Sequence, residues 1–489
     1  MDREQKEMMT EYEQVRREKL QKLRALGVDP YGGRFDGAES LAAIRQKFDP
    51  DNQEQLVKGA GRIVLHRDIG KLIFITLRDW TGTLQVGLSR QMLADDWAAA
   101  KLLDLGDIIA VEGKLGRTKT GEITIWVTRL AVQAKATVPP PGKWHGLQDV
   151  DLRYRQRYVD LFTNPEVMAN FKKRTEIVRA IRAFMTVRGF MEVETPMMQR
   201  RAGGAAARPF ITHHNTLDMD LYLRISPELY LKRLLVGGME KVFEINRNFR
   251  NEGISTQHNP EFTLMEAYEA YGDYLTMLEL TEELVHHLAL GCSRDGVIEW
   301  GEHKINYARP FRRITYAELF EQKNDFSMND IGKVRARAGQ LHIDAPKMDD
   351  WLVINAVFEA TAQEELMQPT FVLDYPSALS PLTRPRRDNP EICERWDLFI
   401  GGMEIGPAYT ELNDPDLQAR KFHQQLKGAN PEEQTFRTLD EDFLTALKYG
   451  MPPAGGLGLG IDRLVMVLTG ATSIRDVILF PLLRPTDDA

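Results

Sequence analysis

The fold is decided by the stretch Phe249-Arg250-Asn251-Glu252, which is followed shortly by His258-Asn259-Pro260-Glu261-Phe262. The apolar and polar pattern through 241–249 and 261–268 predicts two strands joined by a loop. Since alternate side chains of a strand share a face, we expect Arg250 and Glu252 on one face. The returning strand should present another set on a single face: Phe262, Glu266 and Tyr268. This surface could offer a guanidinium to an anion, a ring to a base and carboxylates to an amine; the alternative is an ordinary surface hairpin.

A second run carries glycine at every second position: Gly456-Leu457-Gly458-Leu459-Gly460-Ile461-Asp462-Arg463. Such glycines remove the side chains from one face of a strand, so a flat ligand can lie against the backbone. Asp462 is placed to cap the apolar helix that follows, and Arg463 is placed to reach a phosphate. The alternative is a glycine-softened turn from strand to helix.

Two carboxylates, Asp397 and Glu404, flank Gly401-Gly402. If the glycines form a two-residue hairpin loop, Phe399 faces Glu404. Asp397 then faces Gly406, and the two carboxylates lie diagonally on one surface, roughly 7–8 Å apart at Cα. This geometry suits Mg²⁺ held jointly by carboxylates and phosphates. The alternative is two solvated acids on a hairpin.

Composition leaves the function open. The 489 residues are 43% hydrophobic and 27% charged, which is typical of a globular protein of two or three domains. The net charge of −8 argues against an indiscriminate nucleic-acid binder, although a local basic patch could still bind RNA. Two cysteines and the lack of a secretory signal or a long apolar run favour a cytoplasmic protein outside the membrane.

The chain divides into four predicted segments. Residues 1–55 form a helical extension, whose first helix is either a solvated surface helix or an arm that touches RNA through Arg16, Arg17, Lys19, Lys22 and Arg24. Residues 56–138 alternate through five short strands, which suits a closed barrel of the oligonucleotide-binding (OB) kind. Residues 139–155 form a proline-rich linker. Residues 156–489 mix hairpins with helices, which predicts an α+β domain built on an antiparallel sheet, without a P-loop.

Three motifs in order resemble those of the class II aminoacyl-tRNA synthetases. Residues 188–196 resemble motif 1 of this family, residues 249–266 resemble motif 2, and residues 456–463 resemble motif 3. The resemblance is greater to the bacterial lysyl-tRNA synthetases and covers nearly the whole chain. It rests on four further stretches: Arg153–Tyr158, Gly203–Phe210, Pro227–Arg233 and Glu411–Asp414.

This resemblance implies an activity and a set of residues. ATP and L-lysine would give lysyl-adenylate, and the lysine would then pass to tRNA(Lys) in a homodimer with Pro196 at its interface. The implied catalytic residues are Arg250 and Arg463, and Mg²⁺ is implied on Asp397 and Glu404. The implied ATP-binding residues are Arg250, Glu252, His258, Asn259, Phe262, Glu404 and Arg463. The implied lysine-binding residues are Gly204, Glu228, Arg250, Glu266, Tyr268 and Glu411. The implied anticodon-binding residues are Arg67, Phe74, Gln85 and Glu122.

The spacing of Glu404 and Glu411 sets one requirement. Seven residues apart, they would lie on opposite faces of an ideal strand, so a bulge or break is expected at Gly406-Pro407 if both serve one site. Pro407 is also a departure, because the family usually has asparagine there. Asp397 replaces a more frequent glutamate.

Three other functions are compatible with parts of this pattern. An aspartyl- or asparaginyl-tRNA synthetase shares the barrel and the motifs, but the pocket positions here are glutamates rather than cations. The paralogue that lysylates a translation factor lacks the barrel. An RNA-binding module with an inactive synthetase domain would not need Arg250, Glu404 and Arg463.

Overall fold

The computed structural model describes residues 3–52, 54–141, 147–205, 207–346, 348–428 and 440–486, with the side chains of 3–10 and 425–428 left aside. Part of the predicted linker, 142–146, therefore lies outside the described residues. The chain forms two compact units, Met1–Met168 and Ala169–Ala489. In the described part, no helix is both long and apolar enough to cross a membrane.

The first unit is a closed five-stranded barrel with strand order β1-β2-β3-β5-β4. Its elements are α1 Arg3–Ala25, α2 Leu41–Gln46, β1 Leu56–Asp68, β2 Leu72–Arg78, β3 Thr83–Ser89, α3 Arg90–Leu93, α4 Trp97–Ala100, β4 Ile108–Arg117, β5 Ile123–Ala134, α5 Val150–Arg155 and α6 Arg157–Thr163. Alternate residues of each strand, such as Ile73, Ile75 and Leu77 of β2, are buried inside the barrel. The predicted barrel is confirmed.

Helix α1 is tied to the barrel by its own basic residues. Arg16 is buried and donates from Nη1 to the carbonyls of Leu105 (2.9 Å) and Ala136 (3.0 Å). Lys19 pairs with Asp104 at 2.6 Å. These two cations are therefore not available to an RNA backbone, whereas Lys22 and Arg24 are exposed.

The second unit is built on an eight-stranded sheet with the order β14-β15-β16-β17-β18-β11-β10-β6. Its elements are α7 Pro165–Val187, which begins just before the division, β6 Met191–Glu192, β7 Met198–Gln199, β8 Ile211–His214, β9 Met219–Leu223, α8 Glu228–Val236, β10 Lys241–Phe249, β11 Glu261–Ala270, α9 Tyr274–Cys292, β12 Val297–Trp300, β13 His303–Asn306, β14 Arg312–Thr315, α10 Tyr316–Asn324, α11 Ile331–Gln340, α12 Asp350–Ala362, β15 Thr370–Leu373, β16 Arg395–Ile400, β17 Met403–Thr410, α13 Pro415–Gly428, α14 Glu441–Lys448, β18 Ala454–Gly460 and α15 Ile461–Thr469. The β6–β10 and β14–β15 pairs are parallel and the others antiparallel, as the predicted α+β class requires.

One face of this sheet is covered by helices. Leu284 of α9 and Leu464 of α15 are fully buried against Met265 and Leu457 of the central strands. Each such leucine contributes roughly 1.5–3 kcal/mol by leaving water. The opposite face of β11 carries the alternate residues, including Glu266, and this is the face on which the candidate site lies.

The hairpin β16–β17 contains the expected irregularity. Gly401 and Gly402 both have positive φ (62° and 72°), and they form the predicted two-residue loop between Ile400 and Met403. Phe399 faces Glu404 as predicted, but the register then shifts.

Ile405 is the extra residue, so Asp397 faces Pro407 and the expectation that it faces Gly406 was wrong. The bulge lies immediately before Gly406-Pro407. It brings Glu404 and Glu411 to the same side of the strand.

Two further expectations were wrong. Strand β10 ends at Phe249, so Arg250 and Glu252 lie in the following loop rather than on one strand face. Asp462 does not cap α15, whose N-cap is Gly460. Instead, Asp462 accepts a hydrogen bond from the Thr263 N–H (2.7 Å) and pairs with Arg174 (2.7 Å), so it joins the start of α15 to β11 and α7.

Candidate active site

Three glutamates meet at one end of the open sheet face, at the start of α8, on β11 and just after β17. We call Glu228, Lys232, Glu266, Tyr268 and Glu411 the carboxylate pocket. Glu228 and Lys232 are one turn apart on α8 and form an ion pair of 2.6 Å. The Lys232 ammonium also pairs with Glu411. Lys232 is fully buried and Glu411 is 1% exposed.

Glu266 is held in a separate hydrogen-bond network. Its Oε1 accepts from the Ser226 hydroxyl (2.7 Å) and its Oε2 from the Tyr268 hydroxyl (2.9 Å). Burial and the neighbouring Glu228 raise the pKa of Glu266 to about 8, in spite of these donors. Burial raises the pKa of Glu411 to about 7, although Lys232 opposes the shift. A cationic ligand would favour the ionised form of both groups.

Two glycines provide the space that the pocket needs. A Cβ on Gly456 would overlap Oε1 of Glu411 and would lie 2.7 Å from Cε1 of Tyr268. Gly204 has φ +87°, and a Cβ there would lie 3.0 Å from the Ser226 hydroxyl. Oε1 of Glu411 accepts no hydrogen bond from the described residues. A buried acceptor therefore remains free beside Gly456.

Two arginines lie along the same open face, in what we call the arginine surface: Arg250, His258, Phe262, Glu404 and Arg463. The Arg250 guanidinium lies 5.1 Å from the ring centre of Phe262. Arg463 donates from Nη1 to the Glu404 carbonyl (2.8 Å), and its Nη2 lies 2.8 Å from Nε2 of His258. Arg463, at the start of α15, is thus fixed by the bulged strand β17, while Arg250 lies near the ring of Phe262.

Two of the residues predicted to bind ATP, Asn259 and Glu252, are not part of the arginine surface. Asn259 is buried and its side chain already has internal partners, the Glu261 carbonyl (2.7 Å) and the Leu482 N–H (3.2 Å). Glu252 is exposed in the loop after β10. Glu252 is nevertheless near enough to His258 to act on its charge, as Arg463 and Arg250 also are.

Asp397 is engaged by Arg395. Its two oxygens accept from Nε (2.8 Å) and Nη2 (2.7 Å) of that arginine. Burial raises the pKa of Asp397, Arg395 opposes the shift, and Glu404 is near enough to add to it. Within the described residues no group of three or more His, Cys, Asp or Glu side chains is arranged to hold a metal. A carboxylate has about four lone-pair sites, so Asp397 and Glu404 fit a cation that takes its other ligands from phosphates and water.

In the first unit, four residues on neighbouring strands form a row across the barrel surface. We call this row the aromatic row: Arg67, Phe74, Gly87 and Trp126. Each residue of the row is the register partner of the next, on β1, β2, β3 and β5. The rings of Phe74 and Trp126 lie 6.0 Å apart in an edge-to-face arrangement. A Cβ on Gly87 would lie 2.8 Å from the Trp126 ring, so this glycine makes room for the indole.

The other two predicted barrel residues flank the row. Gln85 lies two residues before Gly87 and donates to the Thr124 hydroxyl (2.9 Å). Glu122 is exposed just before β5 and pairs with Arg45 at 3.4 Å. The four predicted residues thus surround one patch of the barrel.

Three residues that contact predicted site residues were not predicted from the sequence: Lys232, Arg395 and Trp126. A lysine four residues after a glutamate on a helix is a signal for an ion pair, but its burial depends on the packing of α8. Arg395 lies two residues before Asp397 on the same strand face, which could have indicated the pair. Trp126 lies in a predicted strand, but its cross-strand neighbours depend on barrel closure.

The chain belongs to the class II tRNA synthetases of the D, K and N group, because the model of that family matches residues 149–484. An OB-fold nucleic acid binding domain matches residues 57–132. These matches confirm the family and the fold class expected from the motifs.

Among these synthetases the chain is similar over nearly its whole length to proteins named lysine–tRNA ligase. It is 50% identical to that of Carboxydothermus hydrogenoformans, over 98% of this chain and 99% of the relative. It is 50% identical to that of Moorella thermoacetica, over 97% and 98% respectively. It is 46% identical to that of Pectobacterium carotovorum, over 96% of each.

Proposed function

We propose that this chain is a lysine–tRNA ligase, which activates L-lysine with ATP and transfers it to the 3′ end of tRNA(Lys). The observation that carries the proposal is the buried pair Glu228 and Glu411, with a free acceptor on Glu411 next to Gly456. A side-chain ammonium is the substrate group that this pair would bind. Relatives named lysine–tRNA ligase, which match the chain over nearly the whole of both sequences, support the proposal.

In the first step the lysine carboxylate attacks the α-phosphorus of ATP and pyrophosphate leaves. No protein nucleophile is needed, so the chain contributes by positioning the reactants and by stabilising charge. Arg250 contacts both the lysine carboxylate and the α-phosphate, Phe262 stacks on the adenine, and Arg463 contacts the far phosphate. The loop residues Glu252, His258 and Asn259 complete the nucleotide contacts.

Lysine is held by its two amines. Glu228 and Glu411 accept the side-chain ammonium, with Tyr268 beside them. Glu266 and the carbonyl of Gly204 accept the α-ammonium. The pocket is lined by carboxylates, which disfavours the acidic or neutral amide substrates of the sister synthetases.

Mg²⁺ fits the two carboxylates Asp397 and Glu404, and when bound it would offset the charge of the phosphates during pyrophosphate departure. Arg395 orients Asp397 through its two hydrogen bonds. The Arg463 guanidinium, anchored on the Glu404 carbonyl, places a second positive charge near the same phosphates.

In the second step a hydroxyl of the terminal ribose attacks the lysyl carbonyl, and AMP leaves. The barrel selects the tRNA through its anticodon, with Phe74 as a stacking surface and Arg67, Gln85 and Glu122 at its edges. Stacking on aromatic rings with hydrogen bonds to base edges is how single-stranded RNA loops are recognised. A cytoplasmic location is part of the proposal.

The proposal includes a homodimer. Pro196 is exposed, together with the apolar side chains of Val187, Met191 and Met198. An exposed apolar group of this kind is typical of a surface that is covered in an assembly. Sedimentation velocity of the purified chain should show a dimer, and a monomer at micromolar concentration would contradict this part.

The test of the function is ATP–pyrophosphate exchange measured with each of the twenty amino acids in turn. We expect exchange with lysine and none above background with aspartate or asparagine. Exchange with aspartate or asparagine in place of lysine would assign the chain to a sister activity, and exchange with no amino acid would overturn the proposal.

A further inference from the structure

The Lys232 ammonium lies between the two carboxylates that we assign to the substrate's side-chain ammonium. It pairs with Oε1 of Glu228 at 2.6 Å and with Oε2 of Glu411. Its side chain is 0% exposed and that of Glu228 is 10% exposed. Lys232 is therefore part of the wall of the pocket, and Oε1 of Glu411, beside Gly456, accepts no hydrogen bond from the described residues.

The charges of these groups are not balanced without a ligand. When Glu228 and Glu411 are both ionised, two carboxylates face the one ammonium of Lys232, which leaves a surplus of one negative charge in a buried place. A buried charge is costly unless it is paired. One further ammonium, that of the substrate, completes two pairs.

The geometry also limits what Lys232 can do. An ammonium has three donors, and within the described residues its ion pairs are with Glu228 and Glu411. Glu228 is fixed one turn earlier on α8, and Glu411 follows β17, so the ammonium joins two elements that are distant in sequence. The distance between the two carboxylates thus depends on Lys232.

We infer that Lys232 is a positioning residue for lysine recognition: its ammonium holds Glu228 and Glu411 side by side and charged, so that together they receive the side-chain ammonium of the substrate. This inference rests on the proposed function and names a residue that determines substrate affinity without touching ATP. Lys232 is not a ligand of the phosphates, since its partners lie in the carboxylate pocket.

The ionisation of Glu411 gives the inference a distinctive consequence. The groups facing this carboxylate are Glu228 and Lys232 on α8 and Glu266 and Tyr268 on β11, whereas β18 presents the uncharged Gly456. Lys232 lowers the pKa of Glu411, which burial has raised to about 7. Without Lys232 the pKa of this carboxyl would be higher still, so the carboxyl would ionise at a higher pH than in the wild type.

The experiment compares Lys232→Met with the wild type in lysine-dependent ATP–pyrophosphate exchange at about pH 7 and about pH 9. We expect the KM for lysine to rise at least about tenfold at the lower pH, and the ratio of variant to wild-type KM to fall at the higher pH. The KM for ATP should change by less than about twofold. Lys232→Arg, which keeps the charge, should keep the pH dependence of the wild type.

Arg233→Met is the matched control, because it removes a cation from the next position of α8. Arg233 pairs with Asp440 and Asp442, outside the carboxylate pocket. We expect its KM for lysine to stay near that of the wild type at both pH values. If Lys232→Met does not fold, the same KM measurements at both pH values are made on Lys232→Gln, whose amide still donates hydrogen bonds.

The outcomes separate this inference from the proposed function. If the wild type shows no lysine-dependent exchange, the proposed function fails. If the wild type exchanges and the folded variant has a KM ratio that does not change with pH, or raises the KM for ATP as much as that for lysine, the inference alone is overturned.

Discussion

Glu411 is almost entirely buried, and its Oε1 accepts no hydrogen bond from the described residues. If this oxygen receives the substrate ammonium, Glu411→Gln removes a charge-assisted hydrogen bond. Such bonds contribute about 1.5–3 kcal/mol, so we expect the KM for lysine to rise about 10- to 100-fold. Steady-state exchange kinetics would show this with little change in the KM for ATP.

Glu391→Gln is a suitable control, since it removes an exposed carboxylate from the loop before β16. A lysine KM that rises equally in both variants would show that the effect reflects overall charge, and it would contradict the role given to Glu411.

The wild-type enzyme should itself depend on pH through two carboxyl groups of the pocket. The pKa of Glu411 is raised to about 7 and that of Glu266 to about 8, mainly by burial. Each carboxyl is neutral below its pKa and charged above it, and only the charged form attracts an ammonium. We therefore expect kcat/KM for lysine to increase from about pH 6 to about pH 8.5. The same profile for ATP at saturating lysine should be flatter, and a flat profile for lysine would contradict the assignment.

At the scale of elements, β18 brings two glycines to the site with different neighbours. A methyl group at Gly456 would overlap the carboxylate of Glu411, whereas the nearest atom to a methyl group at Gly458 is Cδ of Pro407 at 3.9 Å. We expect Gly456→Ala to raise the KM for lysine by about tenfold or more, because Glu411 must move. Gly458→Ala should fold normally and leave Glu411 in place, since its methyl group has open space around it, so its KM for lysine should rise less than that of Gly456→Ala.

These two variants form a matched pair on one strand. Thermal unfolding and both KM values would be measured for each. If both alanines raise the KM for lysine equally, or if neither raises it, the role given to Glu411 beside Gly456 is wrong.

The hairpin β16–β17 shows what could be predicted from the sequence. The glycine pair specifies the loop, and the spacing of Glu404 and Glu411 requires an irregularity, which the bulge at Ile405 supplies. The register beyond the bulge could not be predicted, because one inserted residue shifts all later pairs. The end of the strand at Phe249 was predicted, but Arg250 and Glu252 do not continue its alternation, because the β10–β11 pairing stops there.

At the scale of the whole molecule, both units have folds that the patterns predicted. Alternation and turn signals specify the barrel, and hairpins mixed with helices specify the α+β unit. Contacts between residues distant in sequence, such as that of Lys232 with Glu411, were not predictable because they depend on how the elements pack. The family resemblance supplied most residue roles, while the buried counter-ion came from the structure.

A substitution in the barrel should affect the assay that needs tRNA and leave the assay that needs only the catalytic unit unchanged. Phe74→Ala removes a stacking surface worth about 1–3 kcal/mol per base, so we expect the KM for tRNA(Lys) to rise about 5- to 100-fold. Lysine-dependent pyrophosphate exchange, which needs no tRNA, should remain at the wild-type rate. Trp126→Ala should behave in the same way if the aromatic row extends the surface.

Tyr31→Ala is the control, because this exposed aromatic residue lies between α1 and the barrel strands. A loss of pyrophosphate exchange in Phe74→Ala would contradict a role confined to tRNA.

The most direct measurement is aminoacylation by the purified full-length chain with ATP, Mg²⁺ and labelled lysine, using tRNA(Lys) and tRNA(Asp) transcripts in parallel. The account predicts label that becomes acid-precipitable with tRNA(Lys) and is released by mild alkali, with little attached to tRNA(Asp). Labelled lysine attached to tRNA(Asp) in preference to tRNA(Lys), or no label attached to tRNA(Lys), would contradict it.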